Sequence, residues 1–271
     1  MFRFPVSLIL VGALISGVSV LAQKPGKEWT EWSAKEATKM LDDSAWGKTQ
    51  VETDTSEMVY SPTAITAAAN ATSQAQGATN QATSVKFHIW FFTARPIRQA
   101  LVRQLEVQNR IVKANVETYH SWANLHTDEY IIIAVTYEGS DRRFLGRAQQ
   151  AFESAVTAVL KDSTYLERKD GKRIFLSEYR PPKKDGFGAH FVFPRALGGE
   201  PFLNADSGTV RFHCEWENLT TLDSTLNSPG QTSRRARGGN NGSIQPDSAF
   251  KIKLDMRFKV ADMIYDGALE Y

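Results

Sequence analysis

Cysteine is nearly absent: the 271 residues contain one, Cys214, so no disulfide can form within the chain. An excess of charge of either sign is also lacking. Lys and Arg number 32 against 30 Asp and Glu, a balance that gives no global steering toward nucleic acid or an anionic membrane. Beyond residue 22 no run is long and apolar enough to span a bilayer, which takes about 20 apolar residues. The familiar chemical signatures are missing as well. There is no Gly-x-Ser-x-Gly elbow, phosphate loop, His-Glu-x-x-His, Cys-x-x-Cys or Gly-rich dinucleotide turn. These absences point away from an enzyme, and no cofactor is expected.

What is present begins with an export signal. Arg3 supplies a positive end, Pro5 to Leu21 an apolar run, and Val20-Leu21-Ala22 the small residues that a signal peptidase reads. Cleavage is expected between Ala22 and Gln23; the alternative is an uncleaved anchor. No Cys follows the site, so a lipid anchor there is excluded. Asn70, Asn218 and Asn241 head Asn-x-Ser/Thr triplets that fit glycosylation. A secreted eukaryotic domain would more often be stapled by disulfides, which favours a bacterial periplasm or cell exterior.

The remainder divides by composition. Residues 23–63 form an aromatic segment in which Ser33-Ala34-Lys35-Glu36 reads as a capping box, starting a short helix from Ala34 to about Leu41. Residues 64–84 are almost entirely Ala, Thr, Ser, Gln, Asn and Gly, which bury too little surface to offset their ordering entropy, so a flexible linker is expected. From 85 to 271 the pattern is that of a folded domain. Val85 to Thr93 is a strand with Phe87, Ile89 and Phe91 on one face. Pro96 opens a helix whose apolar stripe runs Ile97, Leu101, Leu105, Val112, Val116 and Tyr119. Tyr130 to Tyr137 is a strand covered on both faces, and a second helix carries Leu145, Ala148, Phe152, Ala155, Val156 and Val159.

Further on, Asp170-Gly171 suggests a type I′ hairpin, and strands fall near Gly188–Pro194 and Thr209–Trp216. Phe250 to Val260 alternates without a break, and Asp266-Gly267 can turn a last short hairpin. The expected fold class is α+β, with helices packed on one face of a largely antiparallel, alternatively mixed, sheet. Residues 217–248, with Arg234, Arg235 and Arg237 at their centre, read as a solvated insertion. They interleave no aromatics for base stacking, so no nucleic acid partner is expected.

Few residues stand out chemically. His88, His190 and His213 lie on strands, on the side opposite the core; imidazoles from three neighbouring strands would bind zinc or copper, whereas scattered ones would not. His120 and His126, with Asp128 and Glu129, read as loop residues. Cys214 alternates with Val210, Phe212 and Trp216 and so points into the core as an inert thiol. Arg95 and Arg98 flank Pro96 at a helix start, where positive charge is locally unfavourable and free N–H groups need acceptors. A carboxylate or phosphate would satisfy both. An Asp or Glu from elsewhere in the chain is favoured over an external ligand.

Several phrases carry a resemblance. Lys27-Glu28-Trp29-Thr30-Glu31-Trp32-Ser33 and Asp43-Ser44-Ala45-Trp46-Gly47-Lys48-Thr49 resemble the opening of a family of exported proteins seen mainly in acidobacterial genomes. Thr93-Ala94-Arg95-Pro96-Ile97-Arg98-Gln99-Ala100-Leu101, Phe191-Val192-Phe193-Pro194-Arg195 and the run from Arg257 to Gly267 fit the same pattern. The family has no known activity, so the resemblance implies export and a bacterial source and implies no catalytic residue. The Arg/Gly-rich insertion departs from its pattern. The reading that follows is an exported, non-catalytic binding or structural protein of the bacterial envelope. Its partner would be an envelope protein or a small anion. The alternatives are a metal-assisted hydrolase using the three histidines and a carrier of a small apolar or anionic ligand.

Overall fold

Alternating apolar residues build two antiparallel sheets in the computed structural model, which describes residues 27–54, 83–140, 142–218 and 250–271. The proposed signal, most of the 64–84 segment and the arginines at 234, 235 and 237 lie outside the described residues. The helices are α1 (Ala34–Asp42), α2 (Arg95–Val107), α3 (Val116–Asn124), α4 (Arg142–Ser154) and the single turn α5 (Thr157–Leu160). Strands β1 (Gly47–Asp54), β2 (Thr83–Phe91), β3 (Tyr130–Gly139), β4 (Thr164–Arg168), β5 (Arg173–Phe175), β6 (Glu178–Arg180) and β7 (Ala189–Pro194) come first. They are followed by β8 (Ala196–Leu197), β9 (Glu200–Pro201), β10 (Thr209–Asn218), β11 (Phe250–Lys259), β12 (Ile264–Tyr265) and β13 (Ala268–Leu269). The first sheet has the order β1-β2-β3-β7-β6 and the second β11-β10-β4-β5; β8–β9 and β12–β13 form two short ladders. Every described pairing is antiparallel, and the chain is α+β.

The core lies between the sheets. Phe91 meets Phe258 at 4.9 Å, and Phe191 meets Phe212 at 5.4 Å. Phe152 of α4 enters the same layer, 5.2 Å from both Tyr137 and Trp216. All of these side chains except the half-buried Tyr137 are fully or nearly fully buried, each contributing about 2–3 kcal/mol relative to exposure. The opposite face of the first sheet, bearing His88 and Trp90, takes α1, whose Asp42 reaches His88. Helices therefore cover both faces of this sheet rather than one. Strand alternation identifies two faces without revealing what lies over the second.

Three local readings change. The stripe expected from Ile97 to Tyr119 breaks after Val107, because Asn109 adopts φ 54° and closes the helix. Arg110 N donates to Leu105 O and Asn109 N to Glu106 O, the bond pair of a Schellman ending. Val112 is consequently exposed. Val156 is extended and breaks the second stripe, leaving Val156 and Val159 outside the core. At Asp170-Gly171 only Gly171 has positive φ, so the hairpin uses a three-residue loop with Gly171 in the left-handed position instead of a type I′ turn. Asp266 and Gly267, at φ 49° and 77°, are both left-handed, as a type I′ turn requires.

Strand β1 lies inside the segment read only for its helix, since Gly47–Asp54 shows no apolar alternation. It is held by its ladder to β2 and by Gln50. The Gln50 amide donates to Lys253 O and accepts from Asp255 N, both at 2.8 Å, tying it to the edge of β11. A Cβ at Gly47 would sit 2.2 Å from the Leu41 carbonyl oxygen, so the entry to β1 needs glycine.

Candidate functional site

The start of α2 is an uncapped helix end. Ala94 is its N-cap and offers no side-chain acceptor, and the first turn has no acidic residue. Glu270 supplies the missing carboxylate from β13's far side. Its Oε1 lies 2.5 Å from Arg95 Nε, and its Oε2 accepts from the Arg95 backbone N–H at 3.4 Å. The Glu270 side chain is only 4% exposed, and Arg95 remains 24% exposed. Trp46 Nε1 donates to Glu270 O at 2.7 Å and Glu270 N donates to Met263 O at 3.0 Å, which fixes the carboxylate in place. Asp266 Oδ2 lies 3.5 Å from Arg95, and the guanidinium stands over the Tyr265 ring.

Arg98 takes no part in this pairing. It is 3% exposed and donates to the carbonyls of Thr93 and Leu125, clamping the strand end to the residue after α3. Burial pushes its pKa down to about 10, against the attraction of Glu270; it stays charged at neutral pH. The two arginines that looked like one anion site thus divide into one that holds a carboxylate and one that holds carbonyls.

Beside Arg95 opens a cleft of about 440 Å³, lined also by Lys27, Glu28, Trp29, Trp32, Gln99, Asn124, Tyr265 and Asp266. A polar relay runs along one wall. Tyr265 Oη donates to Gln99 Oε1 at 2.6 Å, Gln99 Nε2 to Asn124 Oδ1 at 2.9 Å, and Asn124 Nδ2 to His120 O at 3.0 Å. Burial pushes the Tyr265 hydroxyl up to about 12, so it acts as a neutral donor. Lys27 pairs with Glu36 at 3.0 Å, and Trp32 Nε1 donates to Lys27 O.

The three strand histidines do not converge. His88 and His190 share a face of the first sheet, while His213 belongs to the second. Alternation gave all three the same outward sense without assigning them to a sheet. His88 Nδ1 lies 2.9 Å from Asp42 Oδ1. His213 sits between Asp255 and the Tyr165 ring. His190 packs on Phe92 with its Nε2 buried and unpartnered, and burial lowers its pKa. Among the described residues no three His, Cys, Asp or Glu side chains are placed to hold a metal ion. His120 contacts Glu106 at 2.5 Å and the edge of Trp29, and His126 pairs with Asp128 in the open. Cys214 is fully buried, its thiol pushed up to about 12 by burial, with Thr164 Oγ1 at 3.0 Å.

Glu270, Asp266, Tyr265 and Gln99 were not identified from the sequence. The one available signal was indirect: a helix start with two arginines and no cap calls for an acid from elsewhere. Fold and site together define an α+β chain of two antiparallel sheets with a polar, aromatic-walled cleft at a helix start. No protein-family model matches the sequence, and comparison with curated proteins and with solved structures gives no match.

Proposed function

We propose that the protein is an exported, non-catalytic binding module of the bacterial envelope, with its ligand seat in the cleft beside Arg95. The observation that carries this reading is the cleft itself. At about 440 Å³ it falls within the roughly 300–1,000 Å³ typical of ligand pockets, and a few convergent polar groups stand among aromatic walls. The polar lining favours a polar ligand over an apolar cargo. The histidines' separation onto two sheets removes the support for a metal-assisted hydrolase. Export rests on the three-part segment Met1–Ala22, and the bacterial setting on the phrases that resemble those of exported acidobacterial proteins.

Expression with the native signal in a bacterial host, followed by fractionation and N-terminal sequencing, tests the location. Exported protein beginning at Gln23 is expected; cytoplasmic protein beginning at Met1 contradicts it. Metal analysis of the purified mature protein tests the role, since stoichiometric zinc or copper would revive the hydrolase.

A further inference from the structure

We infer that the cleft binds a small organic amine through a protonated primary ammonium group, an assignment that rests on reading the cleft as a ligand seat. Both cations lining the cleft are already committed within the chain. Lys27 pairs with Glu36, and Arg95 holds Glu270 and lies 3.5 Å from Asp266. Arg98, close behind, donates to the carbonyls of Thr93 and Leu125 and does not line the cleft. Glu28 lines the same opening, yet among the described residues its carboxylate has no ion pair and no hydrogen bond. Lys27 and Arg95 thus stand against the carboxylates of Glu28, Glu36, Asp266 and Glu270, and the balance at the opening is negative.

The hydrogen-bond directions along the polar relay agree with this sign. The relay ends on the His120 carbonyl, which can only accept, so Asn124 turns Nδ2 toward it and Oδ1 toward Gln99. Gln99 then donates from Nε2, which leaves its Oε1 to take the single Tyr265 proton. Gln99 is 3% exposed, so this proton is directed into the protein and the phenol oxygen keeps only acceptor capacity. Burial above all keeps the phenol protonated; the charges of Asp266, Glu28 and Glu270 act in the same direction, against Arg95. Glu28 and Asp266 therefore both lie near enough to Tyr265 for their charge to be felt at its hydroxyl. Carboxylates and this oxygen accept and cannot donate, whereas an ammonium brings three donors, no acceptor and a positive charge. An anion would meet the negative balance and would have to displace Glu270, whose side chain is 4% exposed, to reach Arg95. A neutral hydroxyl group would use the acceptors and gain nothing from the charge.

Calorimetric titration of the intact mature protein at neutral pH tests this. The probes are putrescine, butylamine and ethanolamine, set against tetramethylammonium, inorganic phosphate and glucose. At least one amine is expected to bind, and to bind more weakly as salt rises. Glu28→Gln and Asp266→Asn should each lower its affinity about threefold, as exposed charge pairs do, and about tenfold together. Glu31→Gln, which removes a neighbouring carboxylate outside the cleft, should leave it unchanged. Glu28 is exposed, and Asn tolerates the left-handed backbone at position 266, so both substitutions keep the fold, as thermal melts will check. Equal binding of tetramethylammonium, which has the charge but no N–H donor, would overturn the ammonium. So would affinity for an amine that the double variant leaves intact. Binding confined to phosphate or glucose, and weakened by the same substitutions, would overturn the amine while leaving the cleft a ligand seat. Silence toward every probe would overturn both readings.

Discussion

The start of α2 and the outer face of the second sheet bring together the same residue types in different settings. On the sheet, Arg173 pairs with Glu167 and lies over Tyr165, Arg211 holds Asp255 and reaches Glu167, and Lys251 holds Glu215. These pairs stand side by side on the sheet surface, and none of their side chains is less than 19% exposed. At α2 one carboxylate, Glu270, is buried, and its arginine borders a concavity. Water screens the first arrangement, whereas the second would leave an uncompensated charge if one partner were lost. A flat ladder settles its charges and presents no enclosure. The α2 cluster settles its charges internally and still leaves a cleft open.

The largest effect should separate these regions directly. Glu270→Ala is expected to destabilise the protein by about 2 kcal/mol, the buried-pair penalty discounted for Arg95's partial exposure. Asp255→Ala should cost about 1 kcal/mol or less, as exposed pairs do. Urea unfolding of the two variants measures the gap, and equal losses would remove the distinction.

His190 sharpens the comparison under acid. Burial lowers its folded-state pKa below the ordinary histidine value, so the unfolded chain takes up the proton first. The stability supplied by the neutral ring is therefore complete above about pH 6.5 and is lost as pH falls through the lower folded value. His190→Phe, which keeps the contact with Phe92, should flatten the decline of melting temperature below pH 6.5. An unchanged slope would show that the ring already titrates normally.

Two smaller effects concern single groups. The Cys214 thiol, pushed up to about 12 by burial, should react with a thiol reagent only after unfolding. Rapid labelling of folded protein would place it at the surface. Glu36, in contrast, lies in the open, and its pKa is lowered to about 2 by the Ser33 backbone N–H and by Lys27. Its support of α1 is present above the ordinary value of 4.5 and fades as pH falls toward 2. Proton-detected titration of the Glu36 carboxyl should find it ionised at pH 3.

Whatever local chemistry dictates was readable in the chain. The Ser33–Glu36 capping box forms with both of its bonds, 3.2 and 2.7 Å long. Phe250–Lys259 pairs along its length with β10, and Cys214 faces the core. Features set by distant partners were not readable. Strand β1 has no apolar rhythm of its own and exists through β2 and Gln50's hold on β11. Asp170-Gly171 and Asp266-Gly267 look identical in sequence, yet of the two only Asp266-Gly267 places both residues in the left-handed region. Arg95 showed that a carboxylate was needed, but Glu270 comes from 175 residues away.

The central claim is that Glu270 already occupies the anion position at Arg95. Thermal shift in inorganic phosphate tests it most directly, on wild type, Glu270→Gln and Glu270→Gln/Arg95→Gln. Wild type should show no phosphate response, Glu270→Gln should gain one, and the double variant should lose it again. Stabilisation of wild type by phosphate, abolished by Arg95→Gln alone, would show that the position is open to an external anion and would contradict the claim.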